Sequence, residues 1–210
     1  MKESLTDQAK DNWEEFKKRY IYPSVLQREW DLIVDCLFDG CYGFQMFTKE
    51  FCDKLIEEAE EKNSWGKERH SNTEYSTYDI LLNDLNINGI YDNLLSEYVY
   101  QAIVYKFHLE TIVATRPLHE RFNAENLLAK YTVDGQGHLS CHHDFSAVST
   151  VLTLNEDFEG GGTWFVNQQK LLKNSPGYMI FHPGMFSHYH GARPITSGTR
   201  YVVISFNNVK

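Results

Sequence analysis

The sequence predicts an α+β protein with a mainly β core: an antiparallel double sheet with N-terminal helices packed outside it. Three observations carry this. From Asn126 onward, LLAKYTV, AVSTVLTL, GGTWFV, GYMIFHP, FSHYH and TRYVVISF are short, rich in β-branched and aromatic residues, and punctuated by Gly, Pro, Asn or Asp. No helix-length segment lies between them, which excludes a doubly wound α/β arrangement. Upstream, helical spacings dominate. The 210 residues suffice for one substantial core. Residues 1–210 are therefore read as a single domain, with a helix-and-strand support region over 1–125 and a sheet core over 126–210.

In chain order, a helix opening near Thr6 or Asp7 places Trp13, Phe16 and Tyr20 on one stripe. LQREWDLIVDCLF fits a short helix or a strand equally. GCYGFQMF alternates as a strand and runs into TKEFCDKLIEEAEEKN, the clearest helix pattern. Thr48 is its N-cap, Phe51, Leu55 and Ile56 form its buried stripe, and its Glu-rich face meets solvent. Residues 62–78 read as a loop long enough to serve as a rim or lid. A strand begins around Ile80, and IYDNLLSEYVYQAIVYKF has helical spacing through Leu94, Leu95, Tyr98, Val99 and Ile103. In the β half, Asn155 is placed to tie down a turn and Pro183-Gly184 to make one. The glycines of Asp157–Gly162 suit either a hairpin turn or a substrate edge.

Composition narrows the function. Hydrophobic residues at 42% and charged residues at 23% describe a globular chain rather than a disordered one. A formal net charge of −9 argues against a broad nucleic-acid-binding face. No apolar run is long enough to span a bilayer, and the N-terminus lacks the apolar core of a signal peptide. The four cysteines, Cys36, Cys41, Cys52 and Cys141, do not make a disulfide scaffold and read as free thiols, with Cys36–Cys41 the first pair to examine.

The chemistry concentrates between residues 140 and 206. His142 and Asp144 are two apart, so an extended backbone aims both side chains to one side. His190 lies several strands later, where a folded-back sheet can bring it close. Two imidazoles and one carboxylate on one face of a metal leave other positions open, as in non-haem Fe(II) oxygenases. Zn(II) accepts the same ligands and would make the chain a hydrolase. A cupin-like metal-binding module without turnover is a third reading. Arg200, Val202, Ile204 and Phe206 should share one strand face, and Tyr201, Val203 and Ser205 the other. An arginine among apolar inward residues is costly unless it meets an anion, and a dicarboxylic co-substrate would supply one. On an edge strand it would instead be a surface residue.

In order and spacing, YSTYDILLNDL, LLSEYV, KYTVDG, the HHD segment ending in TLN, DFEGGGTWF, GYMIFHPGMFSHYHGARPITSGTRY and the final strand resemble the C-terminal catalytic domain of the collagen lysyl hydroxylases. These are 2-oxoglutarate- and Fe(II)-dependent dioxygenases of the prolyl/lysyl hydroxylase branch. The resemblance implies a double-stranded β-helix (jelly roll). It implies that His142, Asp144 and His190 bind Fe(2+) and that Arg200 grips the distal carboxylate of 2-oxoglutarate. Tyr131 and Thr153 match positions that face the co-substrate in relatives. His143, His182 and His188 are left with supporting roles, His188 nearest the pocket. The implied reaction hydroxylates peptidyl lysine in collagen-like sequences, giving 5-hydroxylysine, succinate and CO2, with L-ascorbate restoring oxidised iron. Peptidyl proline is the alternative substrate.

A lysine-accepting rim would draw on Glu74, Asp79, Asp84 or Asp157. The resemblance also implies a homodimer, formed through a surface such as Met185-Phe186, and the endoplasmic reticulum lumen if the source is an animal. Relatives carry cysteines where this chain has Thr163 and Lys170, so a bridge there is absent, and the glycosyltransferase region that precedes the domain in animal forms is not in this sequence.

Overall fold

The computed structural model describes residues 3–67, 77–109, 120 and 122–209. The expected first helix is two, α1 (Leu5–Asp11) and α2 (Trp13–Tyr20). Asn12 breaks them apart: its backbone is extended, and its side chain accepts from the Glu15 N–H at 3.1 Å to start α2. Phe16 and Tyr20 are buried, and Trp13 stacks on Phe16 with ring centroids 5.6 Å apart. The ambiguous LQREWDLIVDCLF contains the end of α3 (Pro23–Gln27), then α4 (Trp30–Ile33) and β1 (Asp35–Phe38).

Strand β2 (Cys41–Gln45) leads into α5 (Lys49–Lys62), which buries Phe51, Cys52, Leu55 and Ala59 and leaves Ile56 half-buried. Thr48 occupies the N-cap position, but its hydroxyl donates to the Arg19 carbonyl at 3.3 Å rather than capping the helix. Of the expected rim or lid over 62–78, residues 68–76, Glu74 included, lie outside the described residues. β3 (Asp79–Leu81) follows. Then α6 (Asn88–Leu94), a π-helical turn (Leu95–Val99) and α7 (Tyr100–Lys106) form one helical run.

The remaining strands are β4 (Phe122–Thr132), β5 (Leu139–His142), β6 (Val148–Thr153), β7 (Phe158–Gly160), β8 (Thr163–Phe165), β9 (Lys170–Leu172), β10 (Tyr178–Pro183), β11 (His190–Ala192) and β12 (Ile195–Val209). They form two antiparallel sheets. The larger runs β1-β2-β10-β6-β12-β4-β3, with β7 also paired to β12, and the smaller runs β5-β11-β8-β9. The first half of the chain thus supplies both ends of the larger sheet as well as the helices outside it.

Period-two alternation sorts neighbours in sequence to opposite faces of the larger sheet. Leu128, Leu152, Phe181 and Val203 join the core under the helices. Leu127, Val151, Ile180 and Val202, one residue away in each case, join a second cluster facing the smaller sheet. The glycine run is not a hairpin, because β7 pairs with β12 whereas β8 pairs with β11 and β9. It carries the chain from one sheet to the other with Gly160, Gly161 and Gly162 all at positive φ, and a Cβ on Gly160 would lie 2.4 Å from the Pro194 carbonyl oxygen. All four cysteines are free thiols.

Candidate metal and co-substrate site

The space between the two sheets holds a cavity of about 550 Å³. His142 ends β5 and is paired directly with His190, the first residue of β11, so strand register alone brings the two histidines together. Asp144 lies just past the strand, where its N–H donates to the Gly184 carbonyl at 3.2 Å. That approach needs the glycine: a Cβ on Gly184 would stand 2.2 Å from the Ser146 hydroxyl oxygen. The Ser149 hydroxyl, on β6, donates to Asp144 Oδ2. The ligand atoms of His142, Asp144 and His190 all lie within 4.8 Å of one another.

The donor set fits a cation. His142 Nδ1 is 2.8 Å from the Ser140 carbonyl oxygen, and His190 Nδ1 is 2.8 Å from that of His188. Each Nδ1 therefore carries the hydrogen and donates outward, which turns the Nε2 lone pairs inward. His142 Nε2 is 3.1 Å from Asp144 Oδ1, and His190 Nε2 is 3.6 Å from Oδ2. Three electron-pair donors converging in a mostly buried place repel one another unless a positive charge sits among them. The ionisation equilibria express the same demand. Burial opposes charge on Asp144, yet the histidines, His142 first, hold its carboxyl far below the usual range. Burial also opposes charge on His142, and the hydrogen bond and charge of Asp144 overcome it, raising its pKa. In His190 burial prevails and the pKa falls.

The other histidines separate by position. His182 is fully buried, edge-on to His190 at 4.8 Å between ring centroids. Burial, helped by the charge of His190, pushes it down to about 3, so it is a neutral wall. His188 serves the site through its backbone carbonyl. Its ring turns away, with Nδ1 2.8 Å from Ser187 Oγ and Nε2 3.1 Å from the Asp39 carbonyl oxygen. His143, rather than His188, lines the cavity, along with the exposed Phe145.

At the inner end lies Arg200, 5% exposed, opposite Tyr131 in the β12–β4 ladder. Its guanidinium sits 5.5 Å from the Tyr131 ring centroid and donates to Thr163 Oγ1 at 3.2 Å. Burial lowers its pKa and only Tyr131 opposes that; among the described residues no carboxylate contributes. Burial pushes the Tyr131 hydroxyl up to about 12 despite Arg200, so it stays protonated. A buried, protonated arginine fork facing a cavity is suited to a carboxylate. Val202, Ile204 and Phe206 line the cavity with Arg200, as the alternation predicts.

Thr153 stands off this wall, beside a small cavity that it shares with Thr163 and Arg200. Sequence reasoning missed Thr163 as an arginine partner, Ser149 as an aspartate partner, and Glu125 on the cavity wall. Asn155 does tie a turn, donating to the Thr199 carbonyl at 2.7 Å and accepting from the Tyr201 N–H at 2.8 Å. Of the proposed rim acids, Asp79 is buried and hydrogen-bonded to Thr77, while Asp84 and Asp157 are exposed and do not line the cavity.

Two antiparallel sheets enclose a histidine–aspartate–histidine cluster and a buried arginine in the same cavity, and together they form a double-stranded β-helix. A solved structure shares that fold. The viral collagen prolyl hydroxylase from Paramecium Bursaria Chlorella virus-1, solved as its 2OG complex, aligns with a TM-score of 0.52 at 16% identity over 83% of this chain and 99% of its own. At that identity the likeness concerns the fold alone.

In sequence, the chain is similar over nearly its whole length to procollagen lysyl hydroxylases. It is 29% identical over 206 residues to procollagen-lysine,2-oxoglutarate 5-dioxygenase 1 of Mus musculus, covering 93% of this chain and 27% of that protein. It is 29% identical over 212 residues to the procollagen lysyl hydroxylase and glycosyltransferase of Acanthamoeba polyphaga mimivirus, covering 93% and 23%. The chain thus spans about a quarter of the length of these relatives. Residues 9–110 match the model of the OGFOD2-like domain. Among the described residues no helix is long and apolar enough to cross a membrane.

Proposed function

We propose that residues 1–210 work as one dioxygenase domain that hydroxylates peptidyl lysine in collagen-like sequences, giving 5-hydroxylysine, succinate and CO2. In this reading residues 1–125 brace the domain and 126–210 form its jelly-roll core. The observation that carries the reading is a buried arginine in the same cavity as three converging metal donors. His142, Asp144 and His190 would hold Fe(2+), and bound iron with 2-oxoglutarate and dioxygen supplies the oxidising power. Ser140 and His188 fix the imidazole tautomers through their carbonyls, and Ser149 and Gly184 fix the aspartate. Arg200 receives the distal carboxylate of 2-oxoglutarate, with the Tyr131 ring and the Thr163 hydroxyl orienting the guanidinium and Thr153 supporting that end from the adjoining small cavity.

Orientation is the protein's main contribution, because it selects the C–H bond presented to the metal. L-ascorbate would keep the iron reduced. A zinc hydrolase or a non-catalytic binding module would leave the buried charge of Arg200 without a function. Proline is the competing substrate, favoured by the fold-level likeness to a prolyl hydroxylase. We further propose a homodimer using Met185 and Phe186, which are 42% and 83% exposed and thus excluded from the core. In an animal source, the compartment would be the endoplasmic reticulum lumen.

The deciding experiment incubates the chain with Fe(II), 2-oxoglutarate, ascorbate and collagen-like peptides, and locates added oxygen by tandem mass spectrometry. One oxygen on lysine is expected. Oxygen on proline and never on lysine would overturn the substrate, and no succinate under any condition would overturn the enzyme.

A further inference from the structure

We propose that Phe145 determines specificity in this site by packing against a proline that immediately precedes the lysine to be hydroxylated. The inference rests on the lysine reading above and deepens it from the residue modified to the sequence around it. Phe145 follows Asp144 and lines the same cavity, yet it is 91% exposed, whereas its neighbour Ser146 is fully buried. That order inverts the usual sorting, in which phenylalanine goes inside and serine outside. The cause lies in the donor cluster. Ser149 gives its hydroxyl hydrogen to Asp144 Oδ2, so the Ser146 hydroxyl, 2.7 Å from that of Ser149, donates to it in turn. Holding the carboxylate through two serines turns Ser146 inward and leaves Phe145 at the mouth.

The ring is presented on a fixed backbone. On one side the Asp144 N–H donates to the Gly184 carbonyl at 3.2 Å, and the Gly184 N–H donates to the Ala147 carbonyl at 3.3 Å. On the other, the Ala147 N–H is shared between the Asn207 carbonyl at 3.0 Å and Asn208 Oδ1 at 3.1 Å, and Asn208 Nδ2 lies 3.5 Å from the Phe145 carbonyl oxygen. A turn clamped from the end of β10 and from β12 loses little freedom when a ligand meets its ring. β12 also supplies a second ring. Phe206 lies two residues before Asn208 on the same cavity face, about 7 Å along the strand, and pairs with Ser149. Phe145 stands at the mouth and Phe206 at the level of the metal donors. Collagen-like chains repeat Gly-X-Y in a polyproline II conformation. With lysine at Y the next residue is glycine, so the adjacent side chain is X. Proline at X offers a flat apolar ring on a stiff, extended chain, and aromatic surfaces bind such rings. As the lysine side chain reaches inward, residue X is carried past the mouth, where Phe145 stands.

The test uses two collagen-like peptides that differ only in whether proline or alanine precedes the lysine, with Fe(II), 2-oxoglutarate and ascorbate. In the unaltered protein, proline should give a KM about tenfold below that with alanine. Phe145→Ala should raise KM about tenfold for the proline peptide and less than about twofold for the alanine peptide, so that the preference vanishes, while Phe145→Trp should keep it. Circular dichroism and melting of Phe145→Ala should match the unaltered protein, because the ring is exposed. A merely structural role would affect both peptides alike. Equal KM values for the two peptides in the unaltered protein, or a proline preference that survives in Phe145→Ala, would overturn this inference and leave lysine hydroxylation standing. Oxygen placed by tandem mass spectrometry on the proline and never on the lysine would overturn the substrate reading itself.

Discussion

The two faces of the larger sheet are built from the same strands and do opposite work. The helix-facing side takes Leu128, Leu152, Phe181 and Val203 into a continuous apolar core closed by α5, α6 and α7. The cavity-facing side takes their neighbours Leu127, Val151, Ile180 and Val202, but interrupts them with Arg200 at one end and Glu125 at the other. One face derives its value from close packing. The other keeps a space open and places charged groups beside it. Function and stability are thereby separated by one residue of register.

That separation can be broken most sharply at the metal cluster. His142→Ala and Asp144→Ala should each abolish Fe(II)-dependent succinate formation while circular dichroism and cooperative melting persist, because neither side chain belongs to the apolar clusters. Full turnover in either variant would remove it from the ligand set. For the unaltered protein, Fe(II) should raise the melting temperature and a chelator should reverse the rise, since metal binds only the folded arrangement.

The next effect lies on the other face. Phe181→Ala should cost about 3–5 kcal/mol in denaturant titrations, because Phe181 is fully buried and packs against Tyr42, Phe44 and Phe107. A loss as small as a surface substitution would mean that the helix side is not the principal core. Arg200→Met should lie at the opposite extreme. Removing a buried guanidinium that no carboxylate of the described residues offsets should leave stability unchanged or raise it on the order of 1 kcal/mol. The same variant should raise the 2-oxoglutarate requirement severalfold or more in a succinate assay. An unchanged requirement would place the co-substrate elsewhere.

Much of this division could be read from the sequence, because alternation is a local property. VVISF assigned Val202 and Val203 to opposite faces without knowledge of either neighbour. The histidine–aspartate pair was legible for the same reason, and His190 only because the strand pattern forced the chain to fold back. Less legible was whatever depends on two distant strands meeting. Thr163 meets Arg200 across the sandwich, and Glu125 reaches the level of Asp144 only through the β4–β12–β6 register. Asn12 broke the first helix through a capping hydrogen bond that apolar periodicity does not register. The glycine run suited a hairpin as well as a substrate edge, because sequence does not reveal that its flanking strands belong to different sheets.

The smallest effect asks whether the two faces also differ in how readily they open. Burial pushes the thiols of both Cys41 and Cys52 up to about 12, with the nearby Cys36 adding to the effect at Cys41 and the charge of Asp53 at Cys52. Neither should react with iodoacetamide in the closed protein, because the thiolate is the reacting form. Cys36, which is exposed, should react first, and the half-buried Cys141 next. Cys41 belongs to the cavity-side cluster and sits beside the edge strand β1, whereas Cys52 lies under the helices in the main core. If packing on the cavity side is the weaker, Cys41 should be modified at denaturant concentrations below the global transition, and Cys52 only with it. Mass spectrometry of quenched samples reads the order directly. Simultaneous modification of the two would show that the sandwich opens as one unit, and that the faces differ in chemistry without differing in local stability.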